Sequence, residues 1–444
     1  MKYNKSLFLF HRDLRANDNL GLIKATEESK EVCPLFIFDE KQVGEENSYR
    51  SENAIQFMVE SLDDLEEELD NKLSYFHGKT LEVLEKILKK EKIEAFYTNR
   101  DYTPFSIRRD RNIKNLCKEL KVDYYQIDDA LLNPPEKVVQ KTGKTYGIFT
   151  PYYNQAKLYP IEKPKKCKKT NLKKISPEKN LPIKKNPQIM QKGGRKEGLK
   201  ILAQIKNHKE YTKERDFPHL DATTKLSAHH KFGTLSIRES YHAVKENLGP
   251  AHPLLRQLYW RDFFTQVAFH NPHVFGHAYH IRFNNLKWRN SEKDFTLWCK
   301  GETGFPIVDA AMHQLNRTGW MHNRLRMIVA SFLCKDLLID WRKGEKYFAQ
   351  KLLDYDPCVN NGNWQWAAST GCDSQPYFRI FNPWLQQKRF DPECTFIKTE
   401  IPQLKKHEQK FLHNLHKEKT DYFPPICDHK ERSEMAIKMF KVKA

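Results

Sequence analysis

Residues 309–366 read DAAMHQLNRTGWMHNRLRMIVASFLCKDLLIDWRKGEKYFAQKLLDYDPCVNNGNWQW, and the rest of the chain is read from them. A Gly-Trp-Met-His turn at 319–322 opens an Asn-Arg-Leu-Arg-Met run, and an apolar helix is expected from there to Trp341. Asp354 and Asp356 then precede an Asn-Asn-Gly-Asn loop that carries Trp364 and Trp366. A core helix alone needs none of these residues. Arg326 lies inside an apolar run and requires a partner if buried, which Asp354 or Asp356 can supply. The remaining carboxylate can accept hydrogen bonds from a ring or a ribose. A purely structural ion pair is an equal reading.

Working outward, the helical signals extend from Gly198 to about Tyr422. In 254–270, Leu255, Leu258, Tyr259, Asp262, Phe263 and Gln266 fall at helical spacing. A further helix is expected over 304–318, with Pro306 in its first turn, where a missing N–H costs nothing. The run TTKLSAHHKFG, 223–233, offers hydroxyls, a cation and backbone N–H groups before a helix. That set suits a diphosphate, although plain helix capping uses the same residue types. From His407 the chain is polar and basic, which suggests a short helix and a frayed tail from 431 to 444.

Towards the N-terminus, residues 1–130 alternate short apolar runs with helical patterns. The runs are Leu7–Phe10, Cys33–Phe38, Leu73–Phe76, Ala95–Tyr97 and Val122–Ile127. Between them, Ile55, Met58, Leu62, Leu65 and Leu69 mark one apolar helix face, and Leu81, Leu84 and Leu88 another. The alternation predicts an α/β domain with a parallel, Rossmann-like sheet. Neither G-x-G-x-x-G nor G-x-x-x-x-G-K-[ST] occurs, so a cofactor is expected elsewhere. Residues 131–197 form a long connector rich in Pro (Pro134, Pro135, Pro151, Pro160, Pro164, Pro177, Pro182, Pro187). From Lys163 to Lys192 it has eleven Lys against one acid, Glu178, which suits a solvated, partly mobile linker or a DNA contact. Residues 198–430 are expected to form an all-α domain.

The net charge is 76 − 57 = +19, which favours polyanionic partners through counterion release. Part of that surplus is surface Lys crowded into the connector. Nine scattered Cys with no C-x-x-C pair indicate reduced thiols, hence cytoplasm, or nucleus in a eukaryotic cell. The opening MKYNKSLFLFHRDLR is interrupted by Arg12 and Asp13 and does not read as a leader, and no membrane span is expected.

Trp is ordinarily core material. Indole is also the most readily oxidised aromatic side chain, and beside Arg or Asn it stacks on nucleobases. Trp288, Trp341 and Trp364 stand in separate segments, while Trp260 and Trp366 stand in the polar contexts YWRD and NWQW.

The sequence resembles the photolyase/cryptochrome family, most closely its class I cyclobutane pyrimidine dimer photolyases. The matching runs are FHRDLRANDNLGL (10–22), RDFP (215–218), LYWRDFF (258–264), TGFPIVDAAM (303–312), GWMHNRLRMIVASFLCKDLLIDW (319–341) and NNGNWQWAASTGCDSQPYFRIFNP (360–383). The resemblance implies an α/β antenna domain, a connector and a helical domain holding FAD. It implies a carbon-carbon lyase, a monomer acting on UV-damaged DNA. Excited reduced FAD passes an electron to a flipped-out dimer, the ring splits and the electron returns. A second antenna chromophore (a folate, a deazaflavin or FMN) is compatible with it, and residues 99–109 do not choose among them.

By motif, Tyr211, Thr223, Thr224, Lys225, Leu226, Ser227, Arg326, Asp354, Asp356 and Asn360 would hold FAD, with Asn360 facing the reactive ring nitrogen. Trp260 and Trp366 would wall the lesion pocket, and Gln257, Asn323, Arg324 and Met327 would contact the dimer or neighbouring DNA. Arg215, Arg379 and Gln386 would touch DNA, and Trp364, Trp341 and Trp288 would relay electrons to resting flavin.

Three residues depart from the family pattern. Lys225 replaces Arg and loses its bidentate fork. Leu254 replaces an aromatic. Gln257 replaces Glu, as in (6-4) photolyases and several cryptochromes, and supplies no carboxylate. A cryptochrome-like blue-light receptor and a (6-4) photolyase are therefore the alternatives. Against them, Asn323 and Met327 stand where the (6-4) branch has His, and Asn360 is kept where cryptochromes change it.

Overall fold

Five runs too short and too apolar for surface helices pair side by side. They are Tyr3–Phe10 (β1), Ser29–Phe38 (β2), Ser74–His77 (β3), Ala95–Asn99 (β4) and Asp123–Ile127 (β5). All pair in parallel, in the order β3-β2-β1-β4-β5. A parallel sheet is covered on both faces, so its central strands are buried without alternation, as Leu7, Phe8, Leu9 and Phe10 are. Leu84, Ile87 and Leu88 from helix Thr80–Lys90, and Ile113 and Cys117 from helix Pro104–Glu119, pack on Leu7, Leu9, Cys33, Leu35 and Phe96. In helix Glu52–Glu68, Ile55, Leu62 and Leu65 are buried as expected, as is Leu69 at its C-cap, and one position differs. Phe57 is in the core and Met58 only half-buried.

The computed structural model describes residues 1–176, 183–373 and 378–441. Pro177, Glu178 and Pro182 of the connector, residues 374–377 of the 360–383 run and the last three residues of the expected tail lie outside the described residues. The chain divides into two compact units. One comprises 1–185, 191–209 and 224–272, and the other 186–190, 210–223 and 273–444.

In the first unit the connector is laid against the body. Residues around Leu172 form a parallel bridge to Val32 of β2. Lys173 pairs with Glu31 at 3.0 Å and Lys174 with Glu66 at 3.0 Å, so part of the Lys run answers acids of the α/β domain. Residues 149–156 of the connector form a helix, Phe149–Ala156. The expected helix over 254–270 runs from Pro253 to His270, with Pro253 in its first turn.

The second unit is helical. Pro306–Thr318, Asn323–Ser331, Trp341–Lys351 and Pro357–Ala368 surround a core that includes Trp298, Phe305, Met312, Phe332, Leu333, Trp341 and Trp364. Two readings are corrected here. The apolar helix does not run to Trp341. It ends at Ser331, widens into a π-turn over Phe332–Asp336, and breaks where Leu338 takes a left-handed φ of 54°. Asp340 then caps a new helix that begins at Trp341, accepting from the Arg342 N–H at 3.0 Å. Asn360–Asn363 is helix rather than loop, because Asp356 caps it and Pro357 supplies its first turn. At the C-terminal end, His429–Phe440 is one helix, so residues 431–440 are not frayed.

Candidate active site

The Gly-Trp-Met-His turn joins two helix ends. Gly319, at φ 69°, closes Pro306–Thr318 in the left-handed conformation that favours Gly. His322 opens Asn323–Ser331, its Nδ1 accepting from the Arg324 N–H at 3.2 Å. Burial lowers its pKa to about 4, so the cap is a neutral imidazole. Arg326 follows one turn later. Its Nε donates to the Met321 carbonyl at 2.8 Å, and its two terminal nitrogens donate to the two Asp354 oxygens at 3.2 and 2.9 Å. The fork-on-carboxylate geometry fixes Asp354, whose side chain is 2 % exposed, while Arg326 keeps a solvent-facing side. Asp356 has a different job. One of its oxygens accepts from the Cys358 and Val359 N–H groups at 3.0 and 3.2 Å.

The capped helix carries Asn360, Trp364 and Trp366. The Asn360 amide donates to the Glu345 carbonyl at 3.3 Å. Glu345 itself was not singled out from the sequence. It is buried on Trp341–Lys351, and burial pushes its carboxyl up to about 7, with the Asn360 amide pulling the other way. Trp364 is buried against Phe348 (centroids 4.9 Å, edge-on) and Trp298 (6.2 Å, edge-on). Gly344 permits that packing: a Cβ there would lie 2.2 Å from the Trp364 ring. Trp366 is only half-buried, with the Arg379 guanidinium 5.3 Å from its centroid.

The proposed relay residues Trp364 and Trp341 share this core, and Trp288 packs on its margin. Among the described residues no ring of the three rests directly on another. Trp298, fully buried beside Trp364, was not anticipated. Asn323 and Met327 sit one turn apart, 3.9 Å between amide nitrogen and sulfur. Arg324 is already engaged, pairing with Asp216 at 2.8 Å and lying 4.3 Å over the Phe390 ring. Arg215 lies 5.6 Å over buried Tyr211, so the RDFP run gathers Tyr211, Arg215 and Asp216. Arg379 is exposed and Gln386 half-buried.

In the first unit, Lys225 has a left-handed φ of 52° just before the short helix Ser227–Phe232. That helix has no side-chain cap, so the capping explanation of the hydroxyl-rich run fails there. Leu226 turns inward onto Leu202 and Leu235, while Ser227 is exposed. On Pro253–His270, Gln257 and Trp260 are half-exposed one turn apart, and Gln257 has no hydrogen-bond partner among the described residues. Leu254, where relatives carry an aromatic, is buried.

Two family profiles match the chain: "DNA photolyase" over residues 6–169 and "FAD binding domain of DNA photolyase" over residues 254–442. The chain is 36 % identical to the deoxyribodipyrimidine photo-lyase of Alkalihalophilus pseudofirmus, over 97 % of each chain. It is also similar to the crystal structure of an archaeal photolyase from Sulfolobus tokodaii with two FAD molecules, at 41 % identity, TM-score 0.90 and 98 and 99 % coverage. A Synechocystis cryptochrome structure is 27 % identical, with TM-score 0.89 and 98 and 99 % coverage. The chain belongs to the DNA photolyase family, with an N-terminal α/β domain and the helical FAD-binding domain of that family.

The residues present suit that cofactor chemically. Lys225, the Thr223, Thr224 and Ser227 hydroxyls and an uncapped helix start are donors fit for a diphosphate. Asp354, Asp356 and Asn360 are polar groups fit for a ribose or a flavin ring.

Proposed function

We propose that the chain is a deoxyribodipyrimidine photo-lyase that repairs cyclobutane pyrimidine dimers in DNA under blue light. Reduced FAD, when bound, supplies the photoexcited electron that opens the cyclobutane ring. Tyr211, Thr223, Thr224, Lys225, Leu226, Ser227, Arg326, Asp354, Asp356 and Asn360 hold it. Arg326 fixes the Asp354 carboxylate by its bidentate pair, and Asp356 caps the helix that carries Asn360.

The observation that carries the reading is the contrast among tryptophans. Trp298, Trp341 and Trp364 are buried, whereas Trp260 and Trp366 keep open ring surface beside polar side chains. Such open indoles are stacking platforms for bases taken out of a duplex. Gln257 and Asn323 each present an amide donor and acceptor, the complement of a thymine edge. Arg379 and Arg215 answer phosphates. The nine cysteines are all free thiols, which supports a reducing compartment, the cytoplasm or, in a eukaryote, the nucleus. Gln257 alone favours a second reading, a cryptochrome-like light receptor.

The test is Trp366→Ala. It is expected to weaken binding of a dimer-containing oligonucleotide by about 1–3 kcal/mol while retaining flavin. Unchanged lesion affinity would remove Trp366 from the site.

A further inference from the structure

The connector is fastened along the helix that carries Trp260. From the residue after Trp260, Arg261 Nη1 donates to the Ala130 carbonyl at 2.6 Å. The next residue, Asp262, is fully buried and accepts from the Leu132 and Asn133 N–H groups at 2.7 and 3.2 Å. A turn and two turns further on, Gln266 and His270 reach the Pro135 carbonyl at 3.5 and 3.2 Å. This seam brings helix Phe149–Ala156 onto the same face.

There Phe149 lies flat on the Trp260 indole. The centroids are 3.7 Å apart and the planes within 7°. Phe149 is buried, 1 % exposed, while Trp260 stays half-exposed. Phe263 meets the indole edge-on at 5.6 Å, and the exposed Arg256 lies 5.6 Å over Phe149 on the connector side. Phe264, one turn along the same helix, also lies near-parallel to the indole at 5.4 Å, so Trp260 is held by three phenyl rings, of which Phe149 is the nearest and flattest. An aliphatic neighbour fills the same space but leaves the ring free to tilt, because flat stacking constrains a plane and dispersion alone does not.

We propose that Phe149 is a positioning residue for lesion binding: by stacking on Trp260 it sets the plane of the indole wall, so the connector helps determine affinity for the dimer. The inference rests on Trp260 lining the lesion pocket.

The experiment compares Phe149→Leu, Phe149→Tyr and Trp260→Ala as flavin-loaded full-length proteins. Each is titrated with a dimer-containing oligothymidylate and with the undamaged oligomer, and repair is followed across substrate concentration. Phe149→Leu is expected to weaken dimer binding about three- to tenfold, with the effect on KM rather than kcat and undamaged binding unmoved. Phe149→Tyr restores it. If Phe149→Leu does not accumulate folded, Phe149→Met, which also lacks a ring, takes its place. Wild-type dimer affinity in the ring-less variant, alongside weakened binding by Trp260→Ala, overturns the inference and leaves the site intact. An equal loss on damaged and undamaged DNA, or a loss in kcat alone, overturns it as a merely structural effect. Unchanged dimer affinity in Trp260→Ala instead removes Trp260 from the site.

Discussion

Asn360 and Glu345 face each other across two helices, and the acid is the less expected of the pair. Its burial favours the neutral form, raising its pKa from the ordinary 4.5 to about 7. A raised acid binds its proton more tightly in the fold than in the open chain. The stabilisation is therefore complete below the ordinary value and is lost as pH rises through about 7. Glu345→Gln removes that titration without changing shape. Urea unfolding at pH 5 and pH 8 should show wild-type stability falling relative to the variant by on the order of 2–3 kcal/mol. Parallel behaviour of the two proteins would place the Glu345 carboxyl in water. Other residues had their roles divided by the structure. Arg326 was legible as needing an acid, but only geometry shows that Asp354 is its partner and that Asp356 is a cap.

Elements were legible where periodicity and end signals agreed. The helix Pro253–His270 has Leu255, Leu258, Phe263 and Gln266 inward as its spacing requires, and the strands lie where short apolar runs stand. The break before Trp341 was not legible, because an all-apolar run has no face by which a π-turn or a left-handed Leu338 announces itself. Asn360–Asn363 has loop composition and is helix because its cap lies outside the Asn run. Contacts between distant segments were invisible too: nothing local to GIFTP places Phe149 on Trp260. The C-terminal helix is a similar case. Its Phe440 covers Lys335, whose ammonium is fully buried 3.9 Å from that ring and 3.7 Å from Phe378, with Ser369 Oγ at 3.0 Å. Burial lowers the Lys335 pKa to about 7. A double-mutant cycle of Lys335→Met and Phe440→Ala, followed by chemical unfolding at pH 6, should give a coupling of about 1 kcal/mol from the desolvated cation–π contact. Strict additivity would show that the helix is held by apolar packing alone.

For the whole molecule, the +19 charge pointed to a polyanion, and the structure shows part of that surplus committed to internal pairs such as Lys173–Glu31 and Lys174–Glu66. Charge is thus a weaker guide to the proposed DNA contacts than half-exposed Trp260 and Trp366 and exposed Arg379. Long motifs spread from 10–22 to 360–383 made the family legible over nearly the whole chain. Gln257 is the residue on which the proposed activity turns, since it would offer the dimer an amide where the family usually carries a carboxylate. The decisive measurement is repair by purified protein, reduced anaerobically and mixed with an oligothymidylate carrying cyclobutane dimers, with absorbance at the thymine band followed under blue light and in the dark. Recovery of thymine absorbance in the light only is the result expected of a photo-lyase in which Gln257 serves. Bound flavin that photoreduces while no thymine returns would contradict dimer repair and favour the light-receptor reading.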